Sequence, residues 1–222
     1  MNRICVPVAM ATAALAVPLA AQTPPGTFGR STQMMSQTDR SRQMAQCALR
    51  LNRGGAQRYV LASSTDPAER KSMNAFRQSM ITCLSGSRSA TLDPVAVEGA
   101  IAEALLTENG GALLAKAATV PPTTPVRVVL SPNASMHHGV VDCAVRARPD
   151  IAAQMLRAQP ETPEELQHFQ ALGPALQACV PQDVKLSIKP FHVRSLVAGA
   201  LYRRVTSAVT AGQSTGRNNA QA

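Results

Sequence analysis

The 222-residue sequence has no Trp, only two Tyr and four Phe. Carbohydrate sites and single-stranded nucleic-acid platforms stack their ligands on aromatic faces, so both classes are disfavoured and no specific nucleic-acid partner is expected. Lysine is also scarce: four Lys stand against 18 Arg. That skew fits either anion recognition by guanidinium forks or GC-rich coding. No internal stretch approaches the ~18 uninterrupted apolar residues of a transmembrane helix, so the mature chain is not expected to span a membrane. Gly-x-Ser-x-Gly, His-Glu-x-x-His and a glycine-rich phosphate loop are all missing, which leaves no recognisable catalytic set and no cofactor motif.

What is present begins with a leader. Arg3 supplies a positive start, Ile4–Ala16 a short apolar run, and Leu19-Ala20-Ala21 small residues before Gln22. This is a secretory signal over 1–21, cleaved after Ala21. The expected location is therefore periplasmic or secreted. Cys5 lies inside the leader without a lipobox, and removal of Arg3 takes the formal net charge from +9 to +8. Four cysteines remain. An even number in an exported chain reads as disulfides rather than a metal site.

The organising feature is a repetition. Cys47 and Cys83 are separated by 36 positions, and so are Cys143 and Cys179. The offset from Cys47 to Cys143, 96 positions, aligns the two stretches without a gap. Arg50 falls on Arg146, Pro67 on Pro163, Glu69 on Glu165, Pro94 on Pro190 and Leu105 on Leu201. The architecture expected is all-α, with two similar disulfide-stapled units of about four helices each, an internal duplication. A disordered tail is expected over 22–38, unit 1 over 39–110, a linker over 111–135, unit 2 over 136–207 and a second disordered tail over 208–222.

Periodicity and caps place the helices. Met44, Cys47 and Leu51 share one face, with Asn52–Gly55 ending that helix through a glycine cap. Asp66-Pro67-Ala68-Glu69 and Thr162-Pro163-Glu164-Glu165 are helix starts of the capping-box kind, which accounts for the shared Pro and Glu without catalysis. Met73, Phe76, Met80 and Cys83 form a stripe matched by Phe169, Leu172, Leu176 and Cys179. Each unit thus carries a cysteine on the buried stripe of two helices. Four cysteines allow three connectivities, and the repetition selects Cys47–Cys83 and Cys143–Cys179. In the chain-entropy model each bridge contributes up to about 4 kcal/mol. Leu92-Asp93-Pro94 and Ile188-Lys189-Pro190 start the last helix of each unit, with Val97, Ile101 and Leu105 inward. Asn109-Gly110-Gly111 stops the first of these, and Val126–Leu130 is an extended linker lying on one unit.

Site chemistry is thin. His138 and Asp142 stand at i, i+4 beside His137, a spacing that two metal ligands on one helix use. Their counterparts are Arg42 and Gln46, so the repeated scaffold does not rely on them, and they read as a solvated helix start; no metal site is assigned. His168 and His192 read as boundary residues. Arg50 and Arg146 match in Cys-Ala-x-Arg, with Glu69 and Glu165 as candidate partners. With Arg40, Arg42 and Arg53 they form the candidate anion-binding set. The Cys-Ala-x-Arg…Pro-x-Glu…Cys unit resembles one carried in duplicate by a group of small, predicted-secreted bacterial proteins, over most of residues 40–206. The resemblance implies an exported helical repeat and brings no activity with it. The expected role is a non-enzymatic interaction or scaffold protein with an envelope-protein partner. One alternative is a binder of an anionic envelope component through the Arg-rich first helix. The other is an enzyme with its site between the units.

Overall fold

A computed structural model describes residues 36–62, 71, 74–78, 80–84, 93–128, 135–182 and 184–219. The leader, the Asp66–Glu69 cap, Met73 and Leu92 lie outside them. The described chain is helical: α1 (Gln37–Leu61), a helical stretch over 74–78 leading to a 3-10 turn (Met80–Leu84), α2 (Pro94–Ala118), α3 (Met136–Ala147), α4 (Pro149–Arg157), α5 (Pro163–Cys179) and α6 (Pro190–Asn219). Cys47–Cys83 staples the first unit and Cys143–Cys179 the second, with Cα–Cα distances of 5.8 and 6.0 Å.

Positions 96 apart carry matching backbone. Asn52 breaks α1 at φ −155°, ψ 79°, and Arg148 separates α3 from α4 at φ −136°, ψ 66°. Ala62 and Ala158 end the following segments at φ −60°, ψ 134° and φ −64°, ψ 147°. The break at Asn52 differs from the expected glycine cap. Neither Gly54 nor Gly55 has a positive φ; instead Asn52 Oδ1 accepts from the Gly55 amide at 2.7 Å and restarts the helix. Gly55 is there for space, since a Cβ would stand 2.9 Å from Phe76 Cδ2. The stop after α2's first segment does use the left-handed region, at Asn109, Gly110 and Gly111 (φ 53°, 70° and 78°).

Leu51, expected inward, is 59% exposed. The buried arc of α1 runs through Ser41, Met44, Ala45 and Ala48 instead, and Leu51 falls in the last turn before the kink. The ends also differ from expectation. Ser36 caps α1, which already includes 37 and 38. The last helix passes 207 and continues to Asn219, with Val209 packed against the core. Of the linker, 111–118 belongs to α2, Val129 and Leu130 lie outside the described residues, and the described remainder lies on the second unit: Val128 N–H donates to Cys179 O at 3.0 Å and Thr123 N–H to Arg146 O at 2.9 Å.

The core is built from both units. Ile101, Leu106, Leu172, Leu201 and Val197 are fully buried in one continuous cluster. Within it α2 and α6 cross closely, where a Cβ on Gly99 would stand 2.2 Å from Ser195 Cα. Gly99 and Ser195 are matched positions of the two units. Glu103 meets Arg194 across the same crossing, and their matched partners, Gly199 and Glu98, also meet: a Cβ on Gly199 would lie 3.2 Å from Glu98 Oε1. Reciprocal contacts of this kind are what a two-fold relation between two similar units produces.

Candidate functional site

Helix α4 stops at an extended residue, so its last carbonyls have no partner within the helix. Arg194, on α6 and only 7% exposed, supplies them. Its Nη1 donates to Met155 O and Ala158 O at 3.0 and 3.1 Å, and Nη2 to Leu156 O at 3.0 Å. A cation at a helix C-terminus is also favoured by the aligned peptide dipoles. The same guanidinium donates through Nε and Nη2 to Glu103 at 2.9 and 2.8 Å, and through Nη1 to Glu165 at 2.9 Å. Every N–H of Arg194 is thereby engaged.

Glu103 takes a further bond from Arg42 Nη2 at 3.2 Å. Burial pushes the Glu103 carboxyl up, but the hydrogen bond and charge of Arg194, then Arg42, more than reverse this and hold it below its ordinary value. For Arg194, burial opposes the cation, and the two glutamates outweigh it and raise its pKa. A second acid, Glu98, repeats the arrangement with charges exchanged. It binds Arg203 Nη1 at 2.8 Å and lies 3.7 Å from His138, while Arg203 Nη1 also donates to Val60 O at 3.2 Å. Burial raises Glu98, and His138 and Arg203 together bring it below its ordinary value.

The Arg194–Glu103–Glu165 cluster is the floor of a cavity of about 610 Å³ between the units. Its walls are mostly apolar: Ala96 and Ala100 on α2, Met155 on α4, Pro163, Leu166 and Phe169 on α5. Leu166 is 53% exposed at its mouth. Beyond the Arg42–Glu103–Arg194 ridge lies a polar hollow of about 490 Å³, reached by Asp39, Arg157 and Gln159. Glu161 stands on the rim of both spaces. It has a left-handed backbone (φ 63°), its amide donates to Glu165 Oε2 at 2.6 Å, and its carboxylate accepts from Thr38 at 2.9 Å. Thr162 Oγ1 caps α5 at Glu165, as expected, but Glu165 reaches back to Glu161 rather than to the cap residue itself.

The residues singled out from sequence are dispersed. Of Arg40, Arg42, Arg50, Arg53 and Arg146, only Arg42 lines the cavity. Arg53 forms a two-point ion pair with Glu108, Arg146 pairs with Asp142 at 3.2 Å, Arg50 Nε donates to Gln46 O at 3.4 Å, and Arg40 is exposed. The pairing proposed between Arg146 and Glu165 is therefore replaced: helix neighbours sit at i, i+4, and Glu165 is taken by Arg194. The histidine group also separates, with His137 Nε2 on Ser187 O at 3.1 Å, His138 beside Glu98 and Asp142 on Arg146. His192 meets Asp93, the N-cap of α2, at 2.6 Å. Burial raises Asp93, and the hydrogen bonds of His192 and the Val95 amide bring it below its ordinary value. Arg194 escaped the sequence reading because its matched residue is Glu98, and only the crossing of α2 and α6 turns that charge exchange into a contact. Comparison with protein-family models, curated proteins and solved structures finds no match to this chain.

Proposed function

We propose that this is an exported, non-enzymatic binding protein that takes its ligand in the cavity between the two units. One observation carries the reading: a largely apolar cleft of about 610 Å³ with a fixed polar floor, the form that small-molecule sites take. The floor is prepared rather than reactive. Arg194 and the glutamates saturate one another, and among the described lining residues there is no His, Cys or Lys to act as base or nucleophile near neutral pH. That favours binding over the enzyme alternative. The polyanion reading through the first helix is weakened by the dispersal of its arginines: Arg53 is taken by Glu108, and of the five only Arg42 lines the cavity. No helix among the described residues is long and apolar enough to cross a membrane. Two disulfides support an oxidising, extracytoplasmic location. The resemblance to predicted-secreted helical repeats agrees with it.

The test uses the oxidised mature chain and an environment-sensitive apolar dye. Saturable binding of one dye per chain, lost in the cavity-filling pair Ala100→Phe and Leu166→Trp while the thermal transition is kept, is the expected outcome. Dye binding that does not saturate, or that the filled cavity leaves unchanged, would count against the reading.

A further inference from the structure

We infer that the cleft accepts a single-chain amphipathic molecule whose head is zwitterionic; this deepens the binding reading above and rests on it. The two spaces divide the task. The apolar cavity, walled by Met155, Leu166 and Phe169, suits the chain. The polar hollow, across the Arg42–Glu103–Arg194 ridge, suits the head. The charges of that hollow decide the head group. Three acids reach it, Asp39, Glu103 and Glu161, and three arginines, Arg42, Arg157 and Arg194. Glu103 and Arg194 bind each other and the carbonyls of α4, so neither is available to a ligand. Asp39 and Glu161 remain on one side of the balance; on the other stand Arg157 and the N–H groups of Arg42 that its bond to Glu103 leaves over.

A purely anionic head would gain from the two arginines and be repelled by the two carboxylates. A purely cationic head would meet the reverse. Only a head that carries both signs satisfies both pairs without an uncompensated charge, and complementarity of this kind acts more on specificity than on raw affinity. Bonds already present leave room for it. Among the described residues, Arg42 bonds through Nη2 to Glu103, and Glu161 through one carboxylate oxygen to Thr38. The left-handed backbone of Glu161 (φ 63°) sets that carboxylate on the rim shared by the two spaces.

The experiment is calorimetry below the micellar range with four probes sharing a twelve-carbon chain: dodecylphosphocholine, dodecanoate, dodecyltrimethylammonium and dodecyl maltoside. The expected result is that dodecylphosphocholine binds about tenfold or more tighter than either singly charged probe. Glu161→Gln should then shift preference toward dodecanoate, and Arg157→Gln toward dodecyltrimethylammonium, with thermal transitions unchanged. If a singly charged or uncharged probe binds as tightly as the zwitterion, or neither variant moves the preference, the head-group inference is overturned while the cavity reading stands. If no probe binds, and the apolar dye does not bind either, both readings fall together.

Discussion

The residue that most determines the second unit is Arg194. It satisfies three carbonyls and two carboxylates in a place water barely reaches. Its removal would leave buried acceptors and a buried carboxylate without partners, a loss of about 3–5 kcal/mol for a pair of this kind. Arg194→Met is expected to lower the urea-unfolding free energy by that amount. Arg194→Lys should recover little, because one ammonium cannot reproduce a five-donor planar fork. A loss below about 1 kcal/mol would show that solvent already shares these bonds. Glu103 of this cluster, together with two carboxyls outside it, sets an acid limit. Asp93, Glu98 and Glu103 are held below their ordinary values of 3.8, 4.5 and 4.5. A carboxyl depressed in the fold binds protons less readily there than in the unfolded chain. Its stabilisation is present above the ordinary value and is lost as pH falls through the depressed one. Unfolding midpoints measured at successive pH values should therefore decline below about pH 4.5, and Glu103→Gln should show a shallower decline.

The elements are fixed by one close crossing. Gly99 brings α2 onto the backbone of α6 at Ser195, and a side chain there would meet Ser195 Cα at 2.2 Å. Gly99→Ala is expected to cost about 1–3 kcal/mol through forced separation of the helices, read as a fall of roughly 2–12 °C in Tm. Because the obstruction is backbone, Ser195→Gly on the same chain should not restore the loss; full restoration would mean that the Ser195 side chain alone sets the spacing. Much at this scale was legible in the sequence. Pro94, Pro163 and Pro190 each open a helix, Asp93 and Thr162 cap as their spacing demands, and Asn109-Gly110-Gly111 interrupts α2. These signals are local, so sequence carries them. The exposure of Leu51 and the continuation of α6 beyond 207 were not legible, since both depend on which neighbouring helix covers a given turn. The cavity was hidden for the same reason. Its floor joins Arg42, Glu103, Glu165 and Arg194 from four helices, and three of those four have a matched residue of different charge in the other unit.

At the scale of the whole molecule the two disulfides are chemically alike and physically unequal. Cys143 and Cys179 are 5% and 0% exposed and belong to the core, whereas Cys47 and Cys83 are only partly buried. Thiol–disulfide exchange needs an approach path for the attacking thiolate. Under native conditions and limiting reductant, Cys47–Cys83 should therefore open first. Alkylation followed by mass mapping should label Cys47 and Cys83 well before Cys143 and Cys179; equal labelling, or the reverse order, would show that the fold opens before the bridge is attacked. Loss of the first bridge releases up to about 4 kcal/mol of unfolded-state restraint. The core that unites α2, α3, α5 and α6 does not depend on that bridge, and its largest side chains come from both units. The singly reduced protein is expected to melt at a lower temperature yet still in one cooperative transition. Two separated transitions would mean that the units hold together less tightly than the Gly99–Ser195 crossing and the Arg194–Glu103 pair require.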